Sequence, residues 1–136
     1  MRPIRLIVAL LAVVVLIAVP AALASVTPEL KLKGPKTVQA YEEYRIKAVG
    51  VAKKDGDVVS IFAGAAACPA TAAKAKSQHL HRLEKQKTVD KGDFVVKGPK
   101  RAEEFSGKQH FCGYLSKSGG ATRILKEKYV TVQGGG

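Results

Sequence analysis

Short runs of alternating apolar and polar residues, separated by turn signals about ten residues apart, constrain this fold more than any other feature. In "YRIKAVGV", Tyr44, Ile46 and Ala48 fall on one side of an extended chain, whereas Arg45 and Lys47 fall on the other. This period of two is the pattern of a half-buried β-strand. Comparable runs cover 30–32, 57–65, 94–96, 108–116 and 122–133. The pattern predicts an all-β domain built as an antiparallel β-sandwich.

Turn signals indicate where these strands reverse direction. The segment "KKDG" at 53–56 contains an Asp-Gly pair, which favours a hairpin between the strands at 44–51 and 57–65. A turn at 90–93 returns the chain to the core. The segment "KSGG" at 117–120 favours a second hairpin between the two long strands that flank it.

One segment breaks the strand pattern. Over 69–87, "PATAAKAKSQHLHRLEKQK" loses the period of two and is rich in alanine, lysine and glutamate. Pro69 suits the first position of a helix, and most residues after it are good helix formers. We therefore predict a short helical insert at about 69–87. Because Leu80 and Leu83 give it only a thin apolar stripe, we expect it on the surface.

The first 24 residues have the composition of a secretory signal peptide. Arg2 and Arg5 precede an uninterrupted apolar run over 6–19, and the segment ends in "ALA". This order predicts a signal-peptide helix over 1–24 and cleavage after Ala24. The alternative is an uncleaved membrane anchor, because a membrane-spanning helix needs about 20 residues.

Both interpretations predict a secreted or extracytoplasmic location for the rest of the chain. That remainder is long enough for one domain with its own core but not for two. We expect the domain over 25–133, followed by a flexible glycine tail at 134–136. The membrane is then a partner only through the N-terminal segment, if that segment is retained.

The chain is strongly basic, with 23 Lys plus Arg against 11 Asp plus Glu and a net charge of +12. Seventeen of the 21 cations beyond the signal segment are lysines, which act as hydrated point charges without the planar fork of arginine. The charge therefore predicts diffuse attraction to an anionic envelope polymer, or to another envelope protein, and no specific recognition of nucleic acid. The candidate contacts are Lys74, Lys76, Arg82, Lys85, Lys87, Lys97, Lys100 and Arg101. The alternative is a solvated surface whose lysines also prevent sheet edges from pairing.

Two cysteines, Cys68 and Cys112, occur in the chain. In an exported protein they are most simply one disulfide. Closing a loop of this length stabilises a fold by about 4 kcal/mol in the chain-entropy model.

The strand "HFCGYL", the Gly-Gly hairpin into "YVTV" and a cysteine just after the third strand resemble a known group of domains. They are similar to the small immunoglobulin-like β-sandwiches with a single disulfide that bacteria export. The resemblance covers 27–133 and implies an extracellular module, with no particular ligand. The chain has no tryptophan to pack on the disulfide, and His110 occupies the position where the immunoglobulin fold usually has tyrosine.

The strand at 108–116 has large residues on both of its sides. His110, Cys112 and Tyr114 alternate with Phe111 and Leu115. This pattern predicts that the outer side of the strand is also covered, by the helical insert tethered through the first cysteine. We also expect the phenylalanines to belong to the core, namely Phe62, Phe94, Phe105 and Phe111.

Metal binding is the alternative function. His110 and Cys112 share one side of a strand, and His79 and His81 offer two further imidazoles, so a small metal-binding protein would use His110 with His79 or His81. The spacings match no known structural zinc motif.

Catalytic motifs are missing from the sequence. It contains no Gly-x-Ser-x-Gly, no Cys-x-x-Cys and no phosphate-binding loop. We therefore predict no catalytic residue and no cofactor. The expected function is that of a non-catalytic binding or structural module at the cell envelope.

Overall fold

The computed structural model describes residues 26–134, which form two packed β-sheets and one short helix. The signal-peptide prediction over 1–24 lies outside the described residues. The elements are β1 (Glu29–Lys33), β2 (Thr37–Gln39), β3 (Lys47–Ala52), β4 (Asp57–Gly64), α1 (Ala72–Ser77), β5 (His81–Val89), β6 (Gly92–Lys97), β7 (Gly107–Ser116) and β8 (Thr122–Gln133). No helix within 26–134 has the length and apolar character needed to cross a membrane.

The order of the strands gives the fold. One sheet has three antiparallel strands in the order β1-β3-β6. The other has five strands in the order β2-β8-β7-β4-β5, and its β2–β8 pair is parallel. Distributing successive strands between two facing sheets in this way makes an immunoglobulin-like β-sandwich. The predicted fold class is therefore confirmed.

The predicted hairpin between 44–51 and 57–65 is wrong. Strands β3 and β4 belong to different sheets, so the turn at 53–56 carries the chain across the sandwich. An Asp-Gly pair favours reversal of the chain, but it does not decide whether the strands bond to each other or pack face to face. Here Ala48 and Val59 lie in the common core. The hairpin of β7 and β8 is confirmed.

The core lies between the two sheets, as alternation predicts. Tyr44, Ile46 and Ala48 are buried in it, and so are Phe94 and Val96 of β6. Of the four phenylalanines expected in the interior, one does not fit. Phe105 is 40% exposed, because it belongs to the connection before β7 and not to a strand.

The helical insert is present but much shorter than predicted. It begins after Thr71, whose hydroxyl caps it by accepting a hydrogen bond from the Lys74 amide, and it ends at Ser77. The rest of 69–87 is mainly β5, which pairs with β4. β5 is the edge strand of its sheet, and most of its side chains are exposed. This exposure explains its polar, helix-like composition. Pairing with β4 overrode the helical propensity.

The outer side of β7 is covered, as the sequence predicted. The Cys68–Cys112 disulfide is formed and ties the segment before α1 to the five-stranded sheet. A second apolar cluster forms beneath α1 and contains Phe62, Ala75, Cys112 and Tyr114. The Tyr114 hydroxyl donates a hydrogen bond of 2.7 Å to the Pro69 carbonyl, and burial raises the pKa of Tyr114 to about 12.

Candidate anion-binding surface

Three lysines lie side by side on the outer face of the three-stranded sheet. Strand pairing sets Lys33 of β1 opposite Lys47 of β3, and Lys47 opposite Lys97 of β6. All three side chains are exposed, whereas Ala48 and Val96 beside them are buried, so the lysines point to solvent. Directly opposed side chains in a sheet have Cβ atoms about 5 Å apart, and like charges at that spacing are destabilising. We call these three residues the lysine row.

In the part of the chain that the structure describes, no acidic side chain forms an ion pair with the lysine row. Among residues 26–134, no carboxylate lies within ion-pair distance of Lys33, Lys47 or Lys97. The acidic residues of this face, Glu29 and Asp93, stand opposite Val51 four residues farther along the strands. That separation is about 13 Å. The face is therefore basic at one end and acidic at the other.

The lysine row continues around the edge of the sandwich. Lys97 also lines an open hollow of about 520 Å³ between the edge strands β5 and β6, together with Lys85 and Lys87. An adjoining hollow of about 410 Å³ is lined by Arg45, Lys85 and Lys97 among others. We call Arg45, Lys85, Lys87 and Lys97 the basic edge. Lys97 belongs to both groups and connects them.

The register of β5 explains why its lysines reach this edge. Lys85 is opposite Ile61 and Lys87 is opposite Val59, and both apolar partners belong to the core. Opposed residues share a face, so both lysines stand on the inner side of the sheet and extend outward past its border. Inward-pointing charges on an edge strand also prevent pairing with another chain.

The carboxylate of Glu84 lines the second hollow, but it is already paired with a cation. Glu84 pairs with the Arg101 guanidinium, which also binds the Glu103 carboxylate at 2.8 Å. The same guanidinium lies 5.3 Å from the centre of the Phe111 ring. Glu103 also accepts a hydrogen bond from the Tyr44 hydroxyl. Burial raises the pKa of Tyr44, and this hydrogen bond is the second largest cause of the increase.

Arg101 therefore has a different role from the one predicted. It was expected on the anion-binding surface, but it is half-buried and its guanidinium is occupied by two internal carboxylates. Sequence alone could not separate it from its exposed neighbour Lys100. Lys100 lines a small hollow of about 260 Å³ beside Arg45.

The other predicted basic residues divide into two groups. Lys85, Lys87 and Lys97 come together at the basic edge. Lys74 and Lys76 lie on α1, over the outer face of the other sheet, and Arg82 is exposed at the start of β5. Sequence reasoning missed Lys33, Lys47 and Arg45. Alternation indicates that the two lysines point outward, but nothing in the sequence gives the register that aligns them.

The histidines do not form a metal site with three ligands. His81 and His110 flank Gly64 in the strand register, and Nε2 of His81 lies 2.9 Å from the Ala66 carbonyl oxygen. His79 is exposed at a chain reversal, and Cys112 is engaged in the disulfide. No group of three or more His, Cys, Asp or Glu side chains in the described residues is placed to hold a metal ion.

His110 has a structural environment instead. Its ring stands nearly perpendicular to the Tyr129 ring at 4.5 Å, and its Nδ1 atom is 3.8 Å from the Glu127 carboxylate. The histidine beside the disulfide therefore packs against two side chains of the neighbouring strand β8.

Among known proteins, similarity to this chain is found in solved structures. No protein-family model and no curated protein matches the chain. A solved structure that is similar is the CARDB domain of the PF1109 protein from Pyrococcus furiosus, crystallised in complex with di-metal ions. The identity is 15%, the match covers 77% of this chain and 88% of that one, and the TM-score is 0.49. The strand order by itself defines the fold as an immunoglobulin-like β-sandwich.

Proposed function

We propose that this chain is an exported, non-catalytic binding module that attaches to an anionic component of the cell envelope through the lysine row and the basic edge. The observation that carries the proposal is the direct alignment of Lys33, Lys47 and Lys97, with no carboxylate of the described residues within ion-pair distance of them. Such an arrangement destabilises the free protein, and a bound polyanion would relieve the repulsion. Export rests on the charged, apolar and small-residue order of the first 24 residues.

Protection of sheet edges accounts for only part of this surface. Lysines on β1, β5 and β6 lie on edge strands, where charge discourages pairing with another chain. Lys47 is on β3, the central strand of its sheet, and has a lysine on each side. Edge protection gives no reason for a charge at that position, whereas anion binding does.

The composition of the surface predicts how binding behaves. Five of the six exposed cations in the lysine row and the basic edge are lysines, so most contacts are made by point charges and not by bidentate forks. Attraction of this kind is screened by salt over a Debye length of about 8 Å at physiological ionic strength. We expect binding that is rapid and readily reversed by salt.

Sedimentation with envelope fragments tests the proposal. The variant Lys33→Gln/Lys47→Gln/Lys97→Gln should bind less than the unaltered exported protein and should lower the slope of log K against log salt by about 2 to 3. The matched control Lys74→Gln/Lys76→Gln/Arg82→Gln removes the same charge from another part of the surface. Equal losses in both variants would mean that net charge, and not this surface, governs attachment.

A further inference from the structure

Resting on the proposed function, we infer that the partner is a flexible, linear phosphate polymer that bends around the edge of the sandwich. The lysine row and the basic edge are one continuous path, because Lys97 belongs to both. The path begins at Lys33, crosses the outer face of the three-stranded sheet, turns at β6 and ends at Lys85 and Lys87 of the other sheet.

The curvature of this path does not suit a flat lipid surface. A bilayer pressed against the outer face of the three-stranded sheet would meet the lysine row but not Lys85 and Lys87, which stand on the inner side of the opposite sheet. It would also lie against Glu29 and Asp93 at the other end of the same face. Anionic headgroups are repelled by those carboxylates. A polymer chain that turns at the edge contacts the lysines and does not lie against Glu29 or Asp93.

The length of the path sets a minimum length for the polymer. From Lys33 to Lys97 the path crosses two strand spacings, about 10 Å, and the step to the facing sheet is about 10 Å. Lys85 and Lys87 are two residues apart on one strand, which adds about 7 Å. A polymer must therefore extend over about 25–30 Å to contact the whole path.

The side chains on the path favour phosphate groups without bases. Lysine binds phosphate as a compact point charge, so a row of lysines can neutralise successive phosphate groups along a chain. In the described part of the chain the large exposed aromatics are Tyr41, Phe105 and Tyr129, and none of them lines either hollow. Proteins that bind single-stranded nucleic acid use such aromatics to stack bases. A phosphate polymer without bases needs no stacking aromatics, and its charges are complementary to those of the path.

Binding of linear polyphosphate in two size classes, one shorter than about 20 Å when extended and one longer than 30 Å, tests this inference. We expect the long class to bind the exported protein at least 10-fold more tightly per chain. Two variants each remove two charges from one end of the path: Lys33→Gln/Lys47→Gln and Lys85→Gln/Lys87→Gln. Each should weaken the long class about 5- to 10-fold and the short class less than 2-fold, because a short chain still binds the intact end.

Controls separate this inference from the function on which it rests. The variant Lys74→Gln/Lys76→Gln also removes two charges and should bind both classes as the unaltered protein does. If both classes bind equally, or if Lys85→Gln/Lys87→Gln has no effect, the continuous path is wrong, although an anion-binding surface remains. The choice of partner would also be overturned if the protein bound anionic phospholipid vesicles, an oligothymidylate or polyglutamate of equal length more tightly than the long class of polyphosphate. Failure to bind any of these probes would overturn the proposed function itself.

Discussion

Arg123 of β8 and Asp57 of β4 form a two-bonded ion pair inside the fold. The guanidinium Nε and Nη2 atoms donate hydrogen bonds of 3.0 and 3.1 Å to the two carboxylate oxygens. Asp57 is only 1% exposed, and it also accepts from the amides of Lys53 and Lys54. The pair thus fixes the turn that carries the chain from one sheet to the other.

This pair predicts how stability depends on pH. Burial alone would raise the pKa of Asp57, but the bonds from Arg123 and the two amides outweigh it and hold the pKa below its ordinary value of 3.8. The folded state therefore prefers the ionised carboxylate. The stabilisation is complete above about pH 4 and is lost as the pH falls through the lower pKa of the folded state. Thermal unfolding followed between pH 6 and pH 2 checks this.

The variant Asp57→Ala tests the contribution of the same ion pair to stability. It leaves Arg123 half-buried without its partner, and breaking a buried ion pair costs about 3–5 kcal/mol. Urea unfolding at pH 7 measures the loss. Asp55→Ala, at an exposed position two residues away, is the comparison and should cost much less. If the two variants were equally stable, the ion pair would not be fixing this turn.

Removing the disulfide should release the helical cap. The variant Cys68→Ala/Cys112→Ala is expected to lose about 4 kcal/mol of stability in the chain-entropy model. Amide hydrogen exchange should become faster first in α1, because the Cys68 segment ties it to the five-stranded sheet. Intact mass after alkylation without reductant checks the bridge itself, and two labelled thiols in the unaltered protein would contradict it.

The buried hydroxyl of Tyr44 should contribute measurably to stability. Tyr44→Phe removes its hydrogen bond to Glu103 and leaves that carboxylate to Arg101 alone, at an expected cost of about 1–2 kcal/mol. Tyr41 is 68% exposed, so Tyr41→Phe is a matched control that should change the unfolding free energy by less than about 0.5 kcal/mol. A loss in the control as large as that in Tyr44→Phe would argue against the buried network.

Neutralising the centre of the lysine row should make the free protein more stable. Lys47→Gln removes repulsion from Lys33 and Lys97 and is expected to add about 0.2–1 kcal/mol. The gain should shrink as salt is added, because salt screens exposed charges. Thermal unfolding at low and high salt measures it, with Lys76→Gln on α1 as control. A stabilised variant that binds anions less well is the expected combination at a functional site.

Several elements show how far sequence patterns reach. Alternation in "YRIKAVGV" identified the buried residues Tyr44, Ile46 and Ala48, and the two-sided pattern of β7 predicted the cover over Cys112. The same reasoning failed for β5. Its composition favours a helix, but its conformation depends on pairing with β4. The segment that contains α1 separates the two strands along the chain.

The sequence by itself determined the class of fold and the residues that face the core, because side-chain direction follows from local periodicity. It also supplied the strong positive charge and the two cysteines. Only the tertiary structure decided which charges meet. The alignment of Lys33, Lys47 and Lys97 depends on the register of three strands, and the internal role of Arg101 depends on Glu84 of the opposite sheet. Register arises from long-range packing, so no local pattern records it.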